Sequence, residues 1–230
     1  MTDEEKIKFA KDYIIEKVAK GYIVGDLERM LGIKVVPNHD GNANFPIALY
    51  TLTSMSFLGS LVADREFSND WERINAYIEV MFLPGDKSEI EPHKTEFANK
   101  FRNGLAHEFF PKMAGISRVN DRLMTLSAEG YWVLDADILA KMFIESVDNL
   151  IKASEDTDFC RRVFERYNAI QERNLELINK PSTTTTTSTT RSGGATTTTL
   201  PYDLSAMATL PNIPLSKGDT GVTGLSDFKK

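Results

Sequence analysis

FPIALYTLTSMSFLGSLVA, residues 45 to 63, decides between two folds. It runs for 19 residues without a charge, close to the ~20 apolar residues that cross a bilayer as a helix. Five of its residues are serine or threonine (Thr51, Thr53, Ser54, Ser56 and Ser60), and Asp64 and Arg65 follow at once. That mildness favours a central helix that is apolar all round because protein surrounds it. The rest of the chain must then supply amphipathic neighbours.

Such neighbours are present on both sides. Ile7, Ala10, Ile14 and Val18 recur at helical spacing, so Asp3 to Lys20 reads as an amphipathic helix stopped at Gly21, with a short helix following from Asp26. Trp71, Ile74, Ile78 and Met81 give another apolar face, ended by Pro84-Gly85. A further helix is expected from His93 to Phe110. After it, RLMTL and YWVLD flank SAEG as a hairpin. Asp135 or Asp137 is placed to cap ILAKMFIESVDNLIK, and Asp156 or Asp158 to cap FCRRVFERYNAIQERNLELI. The expected fold is mainly α: an antiparallel helical bundle over residues 1–180 with a small β-hairpin insertion.

Composition then changes abruptly. STTTTTSTTRSGGATTTT has little to bury, so residues 181–200 read as a disordered linker and 201–230 as a flexible C-terminal tail. Gly218, Gly221 and Gly224 fall at period three, too short a run for a collagen helix.

A net charge of -6 and a pI near 5.2 argue against a protein that coats nucleic acid electrostatically. A local basic pocket remains open. Cys160 is the only cysteine, which excludes an intrachain disulfide and a cysteine zinc site. MTDEEKIKFAKDYIIEK lacks the pattern of a secretory signal. Together these give the expectation of a cytoplasmic chain without a membrane span.

The polar candidates lie in FRNGLAHEFFP, residues 101 to 111. Phe97, Phe101 and Leu105 share one helix face, which reads as core. Asn103 and His107 are four apart and neighbours on a polar strip, whereas Arg102 lies roughly 140° round from His107 on an ideal helix. A second helix or a second chain would have to complete a site. The structural alternative is a rim arginine laying its stem over the core, and a histidine near a helix C-terminus favoured by the macrodipole.

An arginine followed directly by a polar residue, with a histidine after four intervening positions, is similar to the motif of HEPN domains, and RNGLAH supplies it as Arg102, Asn103 and His107. A central helix containing FLGSL, an aromatic helix, and then FRNGLAHEFFPK resembles a bacterial branch of that superfamily over about residues 5 to 178. The resemblance implies an antiparallel helical bundle and metal-independent RNA cleavage that leaves a cyclic phosphate end. It makes Arg102 and His107 catalytic and Asn103 a substrate-binding or orienting residue, with no metal or other cofactor. The chemistry suits these groups: an unperturbed histidine titrates at about 6.5 and can exchange protons near neutral pH. A guanidinium forks to phosphate oxygens. The implied partners are a second copy of the chain in a homodimer, RNA, and an antitoxin or other regulatory protein. The competing reading is a non-catalytic HEPN-like module that dimerises or binds a nucleotide or protein, and a more distant one is a plain bundle adaptor.

Other groups are weaker. Arg161, Arg162, Arg166 and Arg173, with Tyr167 among them, could guide an RNA backbone. The interleaved Glu165 and Glu172 favour a solvated, salt-bridged face instead. Glu89, Glu91, His93 and Glu96 are metal-type ligands without a compelling spacing. Asn38, Asp40 and Asn42 only superficially resemble a calcium loop, with the glycine too early and no closing glutamate. Cys160 reads as a small core hydrophobe.

Overall fold

The N-terminal helix runs past its expected stop. In the computed structural model, which describes residues 1–36, 42–108 and 111–179, α1 (Asp3–Phe9) continues through a π-helical stretch, Ala10–Val24, into α2 (Gly25–Leu31). Thr2 and Glu5 open it with a capping box, the Glu5 amide donating to the Thr2 hydroxyl at 3.2 Å and the Thr2 amide to the Glu5 carboxylate at 2.7 Å. Gly21 does not end the helix, because glycine in a helix interior costs only about 1 kcal/mol and packing overrides it. The buried positions are Ala10, Ile14, Ile15, Ala19, Ile23 and Val24. They recur every four or five residues, wider than the ~3.6 of an α-helix, as i→i+5 bonding requires. Val18 and Ile7, expected on the core face, are consequently only half-buried.

The uncharged stretch forms α3 (Asn44–Val62), and 61% of its most apolar window is buried inside the protein. Among the described residues it is the one helix long and apolar enough to cross a membrane. Here it serves as the bundle's central helix, packing against α4 (Asp70–Met81) and against the two late helices. Four of its five Ser and Thr hydroxyls bond back to carbonyls of the same helix. Thr51 donates to Ile47 at 2.8 Å, Ser54 to Tyr50 at 2.7 Å, Ser60 to Phe57 at 2.6 Å, and Thr53 to Leu49. Ser56 instead donates to Asp70 of α4 at 3.1 Å.

Gly59 fixes how closely α3 and α4 approach. A Cβ placed there would collide with the backbone carbonyl of Arg73 and come within 3.3 Å of Tyr77 Cβ. Gly59→Ala is therefore expected to lower stability by about 1–3 kcal/mol through overpacking, despite alanine's better helix propensity. Gly85→Ala is the matched control, since a Cβ at Gly85 meets nothing within 4 Å. Urea unfolding of both variants checks the pair: equal stabilities would remove the close approach as the reason for this glycine.

Asn69 caps α4, accepting from the Glu72 amide at 2.9 Å, and Ile74, Tyr77, Ile78 and Met81 are its buried residues. The Tyr77 hydroxyl meets Ser146 at 2.9 Å. Burial pushes its pKa up from the ordinary tyrosine value, with the Ser146 hydrogen bond opposing. Pro84 opens α5 (Pro84–Ile90) rather than merely ending the previous helix. The single helix expected from His93 to Phe110 is instead a segmented run. A 3-10 turn at Glu91–His93 leads to α6 (Lys94–Glu96), a π-helical stretch (Phe97–Arg102) and α7 (Asn103–Glu108).

The hairpin is present, with one strand more. β2 (Met124–Leu126) pairs antiparallel with β3 (Trp132–Asp135) across a turn whose Gly130 has φ +81. β1 (Ala114–Ser117) adds parallel to the other edge of β3, giving the order β1-β3-β2. Asp135 leads directly into α8 (Ala136–Ala153) as its N-cap, accepting from the amides of Asp137 at 3.0 Å and Ile138 at 2.9 Å. Asp156 plays the same part for α9 (Thr157–Asn179), accepting from the Asp158 amide at 2.9 Å. The linker and tail expected at 181–230 lie outside the described residues, as do Asn38, Asp40, Phe109 and Phe110.

Arg118, just after β1, ties three segments together. Its side chain is 1% exposed. Nε donates to Asp137 at 2.6 Å, Nη1 to the Asn42 carbonyl at 2.6 Å, and Nη2 to the Leu31 carbonyl at 2.9 Å. The end of α2, the entry to α3 and the first turn of α8 thus share one guanidinium. Asp137, expected as an alternative cap, is its carboxylate partner.

Candidate functional site

Phe97, Phe101 and Leu105 are buried, so the core face of the motif helix is where its spacing puts it. Arg102 ends the π-helical stretch and Asn103 begins α7, which places the arginine at a change of helical register. Such π-helical irregularities recur at functional sites. The Arg102 side chain is 17% exposed and its guanidinium pairs with the Asp70 carboxylate. It also lies within a long hydrogen bond, 3.4 Å, of Asn103 Oδ1. Burial lowers the Arg102 pKa from its ordinary value. The structure therefore brings Arg102 and Asn103 together. His107 sits in the last turn of α7, and its side chain is outside the described atoms.

Asp70 organises the surroundings of Arg102. As the first residue of α4 it lies where the helix dipole favours a carboxylate. It accepts from Ser56 at 3.1 Å and Arg73 at 3.0 Å, besides pairing with Arg102. One carboxylate thus holds two guanidiniums and a hydroxyl from three elements.

These groups form one wall of a cavity of about 370 Å³. α3 contributes Thr53, Ser56, Phe57 and Ser60, the connection into α4 contributes Arg65, Glu66 and Phe67, and α9 contributes Arg166, Ile170, Arg173 and Asn174. Five arginines line it (Arg65, Arg73, Arg102, Arg166 and Arg173) against two carboxylates, Glu66 and Asp70. In a chain of net charge -6 this is a local concentration of positive charge. The open possibility of a basic pocket in an acidic protein is thereby filled.

The arginines of α9 divide between the two readings of that helix. Arg173 pairs with Glu66 at 2.9 Å and Arg161 with Asp158 at 2.7 Å, so salt bridges are present, though among the described residues none is to Glu165 or Glu172. Arg162 lies 5.8 Å from the Phe159 ring centre. Arg166 is half-buried and lines the cavity. Tyr167 packs on Phe9, ring centres 5.7 Å apart, which removes it from the basic group.

Of the four metal-type candidates, Glu89, Glu91 and His93 have structural partners. Glu89 accepts from the Leu123 amide at 3.0 Å, Glu91 pairs with Lys94, and His93 meets the Trp132 ring edge-on at 4.7 Å. Among the described residues no group of three or more His, Cys, Asp or Glu side chains is placed to hold a metal ion. Asn42 bonds both the amide and the carbonyl of Val36, at 3.0 and 3.1 Å. Cys160 is fully buried against the Ser154 carbonyl at 3.1 Å, and burial raises its thiol pKa. Sequence reading missed Ser56, Asp70 and Arg65; only the arginines along α9, two of which line the same cavity, hinted at a basic group here. Comparison with family models, curated proteins and solved structures gives no match for the chain.

Proposed function

We propose that this chain is a HEPN-like, metal-independent endoribonuclease, acting as a homodimer in the cytoplasm within a toxin or defence system and restrained by an antitoxin or similar regulatory protein. The observation that carries the reading is the setting of Arg102: the motif arginine opens on a cavity with four further arginines and only two carboxylates. Such a cleft attracts a phosphodiester and stabilises the charge that builds on its oxygens during attack.

In the reaction the ribose 2′-oxygen bonds to the adjacent phosphorus as the bond to the 5′-oxygen breaks. The 2′ proton leaves through a base, and the 5′-oxygen takes a proton from an acid. His107 of one protomer suits the first transfer and the partner's His107 the second. Arg102 steadies the non-bridging oxygens, and Asn103, beside it, orients the phosphate.

The non-catalytic nucleotide- or protein-binding reading has one observation in its favour. Arg102 is already paired with Asp70, a use that needs no substrate. Labelled RNA incubated in EDTA with wild type, Arg102→Ala and His107→Ala separates the two. Intact RNA with wild type, or equal cutting by all three, would leave the binding module.

A further inference from the structure

Whether or not the motif cuts, the cavity beside it has an unbalanced charge. Arg73 and Arg102 share Asp70, and Arg173 pairs with Glu66. Among the described residues neither Arg166 nor Arg65 has a hydrogen-bond or ion-pair partner, and the Arg65 guanidinium lies 5.2 Å from the centre of the Phe67 ring. Two guanidiniums lining one cleft thus lack an anion among the described residues.

The rest of the lining narrows what that anion carries. Phe57 and Phe67 supply flat apolar surface on which a base can stack. Thr53 and Ser60 donate their hydroxyl protons to carbonyls of α3, leaving their oxygens as acceptors, which suits ribose hydroxyls as donors. At about 370 Å³ the space is in the range of small-ligand pockets, larger than a bare phosphate needs.

We propose that this cavity binds a ribonucleotide unit, with Arg65 and Arg166 clamping its phosphate and Phe57 and Phe67 seating its base. The choice of a ribonucleotide rests on the ribonuclease reading, whereas the choice of an anion rests on the cavity alone. If the ligand is a strand, this is the subsite next to the cleaved bond. It holds RNA through groups that Arg102 and His107 do not supply.

The test uses the full chain in EDTA and a fluorescent single-stranded oligouridylate, with anisotropy as the readout and melting curves to confirm folding. Arg166→Gln and Arg65→Gln are each expected to weaken binding about tenfold or more, a loss of about 1.4 kcal/mol. Arg122→Gln, at an exposed arginine outside the cavity, leaves it unchanged. Unlabelled UMP competes and uridine does not. A melting temperature raised by UMP, without oligonucleotide binding, assigns the cavity to a free nucleotide, and oligonucleotide binding that UMP fails to displace assigns it to a strand.

Unchanged affinity in both folded variants, equal competition by uridine, or no binding of either probe overturns the inference. Because Arg65 is exposed, its variant stays informative even if Arg166→Gln does not fold. Binding through Arg166 without any cleavage keeps the inference and removes the ribonuclease. Cleavage by Arg166→Gln and Arg65→Gln at the wild-type KM does the reverse.

Discussion

Arg118→Ala is expected to lower the unfolding free energy by about 3–5 kcal/mol, the usual result of removing one partner from a buried ion pair. Three acceptors lose their donor at once: the Asp137 carboxylate and the carbonyls of Leu31 and Asn42. Asp137 is only 20% exposed, so water replaces little of what the guanidinium gave. Arg118→Lys should recover part of the loss, because an ammonium restores the charge without the fork that reaches three directions. The double variant Arg118→Met with Asp137→Leu should be less damaged than Arg118→Ala, since no charge is left buried alone. Urea unfolding measures all three. A loss below about 1 kcal/mol for Arg118→Ala would mean that this network is no stronger than an exposed pair.

His107→Ala is expected to slow RNA cleavage by about a hundredfold or more, the contribution of a positioned acid or base. Arg102→Ala should lose a similar factor by removing charge stabilisation from the transition state. The second variant is informative because its structural cost is small. Asp70 keeps Ser56 and Arg73 when Arg102 is truncated, so a nearly unchanged melting temperature should accompany the lost activity. Arg102→Lys is expected to stay well below wild type, since a point charge does not engage two phosphate oxygens as a guanidinium does. Mixing wild type with excess His107→Ala tests the dimer: if each site needs a histidine from both protomers, activity falls more steeply than the wild-type fraction, and if the sites are independent it falls in proportion. Cleavage at the wild-type rate by a folded Arg102→Ala would end the catalytic reading.

What the sequence made legible was local. The burial of α3 follows from an uncharged run diluted by five Ser and Thr hydroxyls, and the core face at Phe97, Phe101 and Leu105 follows from helical spacing. The caps at Asp135 and Asp156 were legible because an aspartate reaches the amides two or three residues on. Gly21 misled, since a glycine resembles a helix stop while tertiary packing carries the helix on to Leu31. β1 is four residues, AGIS, with no alternation to mark it. Arg118 looks like any loop arginine until the carbonyl of Leu31, 87 positions away, comes within reach. The cavity was hidden for the same reason: Ser56, Asp70, Arg102 and Arg166 lie on separate helices, and no spacing pattern encodes their meeting. The candidate motif was visible, but its surroundings were not.

The parallel register of β1 bears on the order in which this fold assembles. β2 and β3 are joined by a tight turn, so their ladder closes a short loop and can form early. β1 precedes that hairpin in the chain yet joins its far edge, so it has no adjacent partner when it is made. Its pairing closes a longer loop than the hairpin's, a step of higher contact order. Amide hydrogens bridging β1 and β3 should therefore exchange with the long-range opening of the bundle, separately from those of the hairpin turn, making β1 a reporter of when the insertion docks.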